Sequence, residues 1–161
     1  MLQYTEATEE NLNSMLDLYN YYIENSTASF DHSPISLDEF LARIHIRHDK
    51  YKTFLITENE LYGFCFLTRF RKKIAYDKTA EIGIYLKPEF TRRGHGQEIV
   101  RYLETIAKRH QFEVIIASIS GENAASLSLF SKLGYIQCAH YQKIAEKFGR
   151  KMDLFNFQKI L

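Results

Sequence analysis

A short glycine-containing segment between a strand pattern and a helix pattern constrains this chain more than any other feature. In residues 79–86 apolar side chains fall at every second position, which is the pattern of a strand with one buried face. Residues 91–97, Thr-Arg-Arg-Gly-His-Gly-Gln, follow, and beyond them apolar residues recur at helical spacing from Ile99 to Ala107. The chain must therefore pass from a sheet strand into a helix within a few residues, which predicts an α/β or α+β fold.

The same periodicities along all 161 residues predict a single domain, residues 1–161, with the element order β-α-α-β-β-β-α-β-α-β-β. The seven predicted strands cover about residues 2–6, 51–57, 61–70, 79–86, 112–119, 135–141 and 151–158. The four predicted helices cover about residues 9–24, 36–48, the stretch from the glycine segment to 110, and 123–132. Ser36 and Glu39 form a capping box that begins the second helix. We therefore expect a mixed sheet in one domain.

Composition narrows the classes of function. The net charge of +1 gives no overall field that would attract nucleic acid or an anionic membrane, so neither is expected as a partner. The chain lacks a signal-peptide pattern and any apolar run near the ~18 residues that cross a bilayer, so we expect a soluble cytoplasmic protein. Cys65 and Cys138 read as small buried residues in strands, without a disulfide pattern. His45 and His48 share a predicted helix face but have no third ligand, so no metal is expected.

The glycine segment has the chemistry of an anion site. The first amides of a helix have no partner within the helix, and the helix dipole is positive there. Gly94 and Gly96 would let an anion approach the backbone closely, and Arg92 and Arg93 add positive charge. A Walker loop and a dinucleotide fingerprint are both excluded by the residues that follow. By itself the segment does not identify the anion, and a pair of glycines can also serve close packing.

The order of motifs resembles the GNAT N-acetyltransferase superfamily. The strand at 79–86, Pro88, the glycine segment and its helix resemble the central motif of that superfamily, and residues 123–135 resemble its later motif. The resemblance implies a mixed, mostly antiparallel sheet of about seven strands flanked by about four helices, with acetyl-CoA as co-substrate. The acetyl-CoA contacts it implies are Ile84, Tyr85, Leu86, Arg92, Arg93, Gly94, His95, Gly96, Gln97 and Asn123. Thr91 departs from the Gln or Arg that is usual there.

A closer resemblance, to the phosphinothricin N-acetyltransferase branch, covers nearly the full length. It rests on residues 22–30, on residues 71–81, and on Lys147, Phe148 and Gly149 with Asp153. Members of that branch acetylate the α-amino group of phosphinothricin, methionine sulfoximine or methionine sulfone. The branch therefore implies a small-molecule amine as acceptor, a role in antibiotic or herbicide resistance, and a homodimer. The acceptor contacts it implies are Phe30, Arg71, Lys73 and Tyr76. Three lysines depart from the branch pattern: Lys73, Lys78 and Lys151.

Glu81 matches the position of the proposed catalytic glutamate in the superfamily. An α-ammonium group has a pKa near ~8, so a carboxylate acting directly or through water could take its proton during attack on the thioester. The superfamily often places a tyrosine, and this branch often a histidine, where the chain has Phe130, which cannot protonate the leaving thiolate. Water or the attacking amine must then supply that proton. Tyr135 reads as core packing.

Two alternatives remain open at the level of the sequence. The first keeps acetyl transfer but changes the acceptor to a polyamine, an aminoglycoside or a protein N-terminus. Such cationic acceptors would favour an acidic pocket, whereas residues 71–78 are basic. The second is a coenzyme A-binding module without turnover, which Phe130 leaves open and Glu81 disfavours.

Overall fold

The structure is a computed structural model that describes residues 1–161, and it confirms the predicted order of elements. The strands are β1 Gln3–Glu6, β2 Lys52–Thr57, β3 Leu61–Arg69, β4 Thr79–Leu86, β5 Val114–Ser120, β6 Ile136–Lys147 and β7 Arg150–Ile160. The helices are α1 Leu12–Asn25, α2 Leu37–Leu41, α3 His95–Arg109 and α4 Ala124–Lys132. No helix has both the length and the apolar character that a bilayer crossing requires.

The seven strands form one sheet in the order β1-β2-β3-β4-β5-β7-β6. Every neighbouring pair is antiparallel except β4 and β5, which are parallel. These two strands pair only from Thr79 opposite Val114 to Glu81 opposite Ile116. Beyond that point β4 stays paired with β3 as far as Leu86, while β5 stays paired with β7 as far as Ser120. A wedge-shaped gap therefore opens in the middle of the sheet.

Alternation along the central strands divides the core between the two faces of the sheet. On one face Cys65, Leu67 and Ile82 belong to a cluster of 23 buried residues, to which α3 and α4 also contribute. On the other face Phe64 and Phe66 join a cluster of 10 buried residues, most of the others coming from α1 and α2 or the segments beside them. Each helix buries its apolar stripe against one face, so the gap between β4 and β5 is flanked by helices on both sides.

The second helix is shorter than the sequence predicts. It ends at Leu41, whereas the predicted end is near His48. The capping box of Ser36 and Glu39 is present as predicted. Arg47 has a φ of 52°, which is incompatible with a continuing right-handed helix. The Nδ1 atom of His48 accepts the backbone N–H groups of residues 50 and 51, at 3.0 and 3.2 Å. This local bonding competes with the helix, so His45 and His48 do not share a helix face.

Cys65 is fully buried as predicted, but the prediction that Cys138 is buried is wrong. Cys138 lies in β6, which forms the edge of the sheet and runs further than the predicted 135–141. An irregularity between Gln137 and Ala139 leaves Cys138 without an opposite residue in β7. Its Sγ donates to the backbone oxygen of Asn156 at 3.3 Å, and the residue remains exposed.

Candidate active site

The gap between β4 and β5 continues into an open cleft of about 1570 Å³. Its walls come from the C-terminal half of α1 and the loop that follows it, from β4 and β5, from the glycine segment, and from α4. The parting of two parallel strands is what creates the cleft, because no other strand occupies the space between their free edges. A single elongated site therefore runs from the glycine segment to the loop after α1.

The glycine segment forms one end of the cleft, and its two glycines have different roles. Gly94 is the N-cap of α3 and has a φ of 85°, in the left-handed region that favours glycine. A side chain on Gly94 would meet nothing within 4 Å, so its backbone conformation is the constraint. At Gly96 a β-carbon would lie 2.8 Å from Cδ2 of Leu129 in α4, so this glycine allows α3 to approach α4 closely. Close packing therefore accounts for Gly96, and the left-handed backbone conformation accounts for Gly94.

The two arginines of the glycine segment are placed differently. Arg92, which has a φ of 59°, lines the cleft together with residues 94–97. Arg93 does not line it, and its guanidinium carbon lies 5.2 Å from the ring centroid of Phe90. No side chain caps the N-terminus of α3, so the N–H groups of its first turn donate to no side chain of the N-cap residue, which is Gly94. This end of the cleft therefore combines unpaired helix amides with one arginine.

The outer half of β4 forms the middle of the cleft. Ile84, Tyr85 and Leu86 line it, and their backbone edge on the side of β5 has no strand partner. The hydroxyl of Tyr22 donates to the backbone oxygen of Leu86 at 2.5 Å, which ties the end of β4 to α1. Asn123 lines the opposite wall and caps α4, where its Oδ1 accepts the N–H of Ser126 at 3.1 Å. An extended ligand in the gap could pair with the free edge of β4 as an additional strand would.

Glu81 lies where β4 and β5 part, and its side chain lines the cleft. Burial raises the pKa of the Glu81 carboxyl above its ordinary value, while the nearby Ser118 hydroxyl and the charge of Arg71 act in the opposite direction. The hydroxyl of Ser118 also accepts from Nδ2 of Asn156 at 3.3 Å. A half-buried carboxylate with a raised pKa is a stronger base than a solvated one, so Glu81 is suited to accept a proton.

The residues predicted to contact the acceptor are divided between two places. Phe30 lines the cleft, in the loop after α1. Arg71, Lys73 and Tyr76 lie instead in a separate shallow depression of about 520 Å³ on the connection between β3 and β4. The Arg71 guanidinium carbon is 5.0 Å from the ring centroid of Phe70, and only the charge of Arg71 reaches Glu81. The structure thus brings Phe30 and Glu81 together and leaves the basic turn beside the cleft.

An ion pair that the sequence did not indicate lines the cleft near the loop after α1. The Nη2 of Arg43 donates to Oδ1 of Asp31 at 2.9 Å, and its Nη1 donates to the hydroxyl of Tyr19, also at 2.9 Å. Ser29 Oγ donates to the other carboxylate oxygen of Asp31 at 2.7 Å. The guanidinium holds the pKa of the Asp31 carboxyl below its usual value. No local pattern reveals this pair, because Asp31 falls in a loop and Arg43 in a segment predicted as helix.

Comparison with known proteins identifies the family of this chain. Residues 15–135 of the 161 match the family described as Acetyltransferase (GNAT) family. The chain belongs to this family. It is therefore an acyl-CoA-dependent acetyltransferase, and the enzyme class and fold predicted from the motifs are confirmed.

This acetyltransferase is 26% identical to the phosphinothricin N-acetyltransferase of Streptomyces coelicolor, over 99% of this chain and 96% of the relative. It is also 26% identical to the L-methionine sulfoximine/L-methionine sulfone acetyltransferase of Pseudomonas paraeruginosa, over 92% of this chain and 88% of the relative. Its fold matches a phosphinothricin acetyltransferase from Sinorhizobium meliloti, solved in complex with AcCoA. That match has a TM-score of 0.90 at 25% identity and covers 99% of this chain and 88% of the other. The resemblance to the phosphinothricin branch is confirmed.

Phe130 of the acetyltransferase lies in α4 and borders the cleft. It is 6% exposed and packs edge-to-face on Tyr135, with 4.9 Å between ring centroids. Tyr135 is buried in the core, as the sequence predicts. Neither ring presents a hydroxyl to the cleft: Phe130 has none, and the hydroxyl of Tyr135 is enclosed without a hydrogen-bond partner.

Proposed function

We propose that this acetyltransferase transfers the acetyl group of acetyl-CoA to the amino group of a small, anionic, amino-acid-like acceptor. Phosphinothricin, methionine sulfoximine and methionine sulfone are the acceptors of this type that its relatives' names indicate. The observation that carries the proposal is the position of Glu81, at the point where β4 and β5 part and a free strand edge begins toward the glycine segment. A base, a strand edge and an anion site thus lie along one cleft.

The donor would occupy the cleft from the glycine segment to the parting of the strands. The first amides of α3 and the guanidinium of Arg92 suit the pyrophosphate, since both are positive and line the cleft. The free edge of Ile84, Tyr85 and Leu86 suits the amides of the pantetheine arm. AcCoA is bound in the structural relative from Sinorhizobium meliloti, which supports this assignment. Arg93 would contribute only long-range charge, because it packs on Phe90 instead.

The reaction would proceed by direct attack. Glu81 takes a proton from the acceptor ammonium, directly or through water, and the neutral nitrogen attacks the thioester carbonyl. A backbone N–H of the free β4 edge would donate to the developing oxyanion, and such a donor contributes about 10²- to 10³-fold in rate. The C–S bond then breaks, and the thiolate takes a proton from the attacking nitrogen or from water, since Phe130 cannot donate one.

The acceptor would lie near the loop after α1. Phe30 forms one wall there, and Arg43 presents a guanidinium held in place by Asp31. Asp31 balances the charge of Arg43, so only the N–H groups that Asp31 and Tyr19 leave free could donate to a carboxylate or phosphinate on the acceptor. Arg71 adds positive charge near Glu81, whereas Lys73 and Tyr76 lie further along the basic turn. The acceptor end is therefore suited to an anionic amino acid rather than to a polyamine.

We propose further that the enzyme acts in the cytoplasm on a toxic acceptor.

We also propose that the enzyme is a homodimer that pairs through β6. The edge strand β6 and the residues beside it expose apolar side chains, among them Ile136 at 72%, Ile144 at 56% and Phe148 at 50%. An exposed apolar strand edge can pair with a strand of another chain. Light scattering tests this: wild type should have twice the monomer mass, and Ile144→Glu should shift it toward 19.0 kDa.

The test of the proposed reaction is an amine panel with acetyl-CoA, in which the acetylated product is followed by mass spectrometry. A thiol reagent alone would also react with the exposed Cys138, so product detection is the primary readout. We expect saturable acetylation of phosphinothricin, methionine sulfoximine or methionine sulfone, and much weaker turnover of spermidine, an aminoglycoside and a peptide N-terminus. Preference for one of the last three would contradict the acceptor class. Binding of acetyl-CoA without turnover of any amine would favour a non-catalytic module.

A further inference from the structure

A buried lysine at the end of β6 reaches the loop that forms the acceptor wall. Lys147 is 1% exposed. Its Nζ donates to the backbone oxygens of Ile23 at 2.6 Å, Ser26 at 2.8 Å and Ser29 at 2.8 Å. A lysine ammonium has three N–H donors, and here each is matched by one carbonyl. Lysine is almost never buried without a partner, so the three oxygens account for its position.

The three carbonyls belong to the end of α1 and to the loop that follows it. Ile23 is in the last turn of α1, where carbonyls have no partner within the helix and a cation is favourable. Ser26 and Ser29 lie in residues 26–31, every one of which lines the cleft. Lys147 itself does not line the cleft. The lysine therefore binds the backbone of the acceptor wall without entering the cleft that substrates would occupy.

The position of Phe30 follows from contacts on both of its neighbours. The carbonyl of Ser29 is held by Lys147, and Asp31 is held by Arg43. The hydroxyl of Thr27 accepts from Ser120 at 3.3 Å, which joins the same loop to the end of β5. Of these contacts, the one from Lys147 fixes the backbone itself at three points. Removing it would free the loop to move while the donor end of the cleft stays intact.

We propose that Lys147 is a positioning residue for acceptor binding, acting through residues 26–31 and not through contact with either substrate. This rests on the proposed function, because it assigns that loop to the acceptor. Misplacement of a binding wall by about 1 Å can cost on the order of 10²-fold in rate. We therefore expect loss of the three hydrogen bonds to appear in the KM of the acceptor, while the binding of acetyl-CoA is preserved.

The test compares Lys147→Met, which keeps the length of the side chain without its donors, with Lys143→Met on the same strand. Lys143 is exposed and serves as the matched control. For Lys147→Met we expect an acceptor KM raised about 10- to 100-fold, and an acetyl-CoA Kd by calorimetry within about twofold of wild type. Faster hydrogen exchange is expected in residues 24–31. Lys143→Met should match wild type in all three measurements.

A second variant, Lys147→Gln, retains amide donors and should give an acceptor KM between those of wild type and Lys147→Met. An unchanged acceptor KM in a folded Lys147→Met protein would overturn the inference. Equal loss of acetyl-CoA binding and acceptor turnover in both variants would also overturn it, because Lys147 would then support the whole fold. If wild type acetylates no acceptor of the panel, the proposed function itself fails, which is a different result.

Discussion

The two ends of the cleft are built in different ways. The proposed donor end consists largely of backbone from one continuous stretch, residues 84–97, in which β4 leads into the glycine segment and the start of α3. The proposed acceptor end consists of side chains from separate parts of the chain, joined by the Arg43–Asp31 pair and by Lys147. A site made from local backbone leaves a pattern in the sequence, whereas a site made from distant side chains does not. Substitutions at one end should therefore leave binding at the other end near that of wild type.

The largest effect is expected at Glu81, which lies between the two ends. Glu81→Gln keeps the shape of the side chain but cannot accept the ammonium proton, so we expect kcat/KM for the acceptor to fall about 10²- to 10⁴-fold. The acetyl-CoA Kd should stay near that of wild type, because the donor end is unchanged. The exposed residue Glu89 provides the control, since Glu89→Gln should retain full activity. Undiminished acetylation by Glu81→Gln would show that Glu81 is not the base.

The next effect separates the two arginines of the glycine segment. Arg92 lines the cleft and Arg93 packs on Phe90, so Arg92→Ala should weaken acetyl-CoA binding by about 10-fold, as the loss of one charged hydrogen bond does. Arg93→Ala should change the Kd by less than about twofold, through screened charge alone. Calorimetry with acetyl-CoA measures both variants. Equal effects would mean that both guanidinium groups reach the pyrophosphate.

The difference between local and distant contacts also explains how much of the fold the sequence predicted. Strand β4 and helix α3 were predictable because each has its own periodicity and a glycine lies between them. The second helix was predicted too long because the capping box at Ser36 marks where a helix begins and carries no information on its end. The φ of Arg47 and the hydrogen bonds of His48, which keep the last part of the predicted span out of a helix, form only in the folded chain. Local sequence signals therefore predicted the type of each element better than its length.

The candidate site shows the same limit more strongly. The residues predicted to contact the donor, apart from Arg93, line the cleft, and all but Asn123 lie within one stretch of chain. Arg43 meets Tyr19 across 24 residues of sequence, and Lys147 meets Ile23 across 124. Contacts at such separations have no periodic pattern in a single sequence. The basic turn of Arg71 and Lys73 was conspicuous in the sequence because it is local, yet it lies beside the cleft.

A smaller effect would test which residues of the basic turn act on the acceptor. The charge of Arg71 reaches Glu81, so Arg71→Ala should lower kcat/KM for an anionic acceptor about 3- to 5-fold at low ionic strength. This difference should shrink at high salt, where the charge is screened. Lys73→Ala and Tyr76→Phe should change it by less than about twofold, because both lie further along the turn. An acceptor KM raised 10-fold or more by either of them would place the turn in direct contact with the acceptor.

The smallest expected effect concerns stability, and its sign follows from the burial of Glu81. Burial raises the pKa of this carboxyl in the folded protein above its ordinary value of 4.5. Between those two pKa values the folded state binds more protons than the unfolded state, so stability falls as pH rises through this window. The ionised Glu81 therefore costs stability at neutral pH, and Glu81→Gln removes that cost. We expect the Tm of Glu81→Gln to exceed that of wild type by a few degrees at pH 8, and this gain to vanish below pH 4.5.

Two further measurements test whether this effect comes from the titration of Glu81. The pH dependence of kcat/KM in wild type should show its acid limb above the ordinary carboxyl range, since Glu81 must lose its proton to act as a base. Arg71→Ala should move that limb to higher pH, because the charge of Arg71 lowers the pKa of Glu81. A Glu81→Gln protein that is less stable than wild type at pH 8 would show that the Ser118 hydroxyl and the Arg71 charge outweigh the burial of the carboxylate. Glu81 would then be part of a stabilising polar network, and its role as a base would depend on the activity measurements alone.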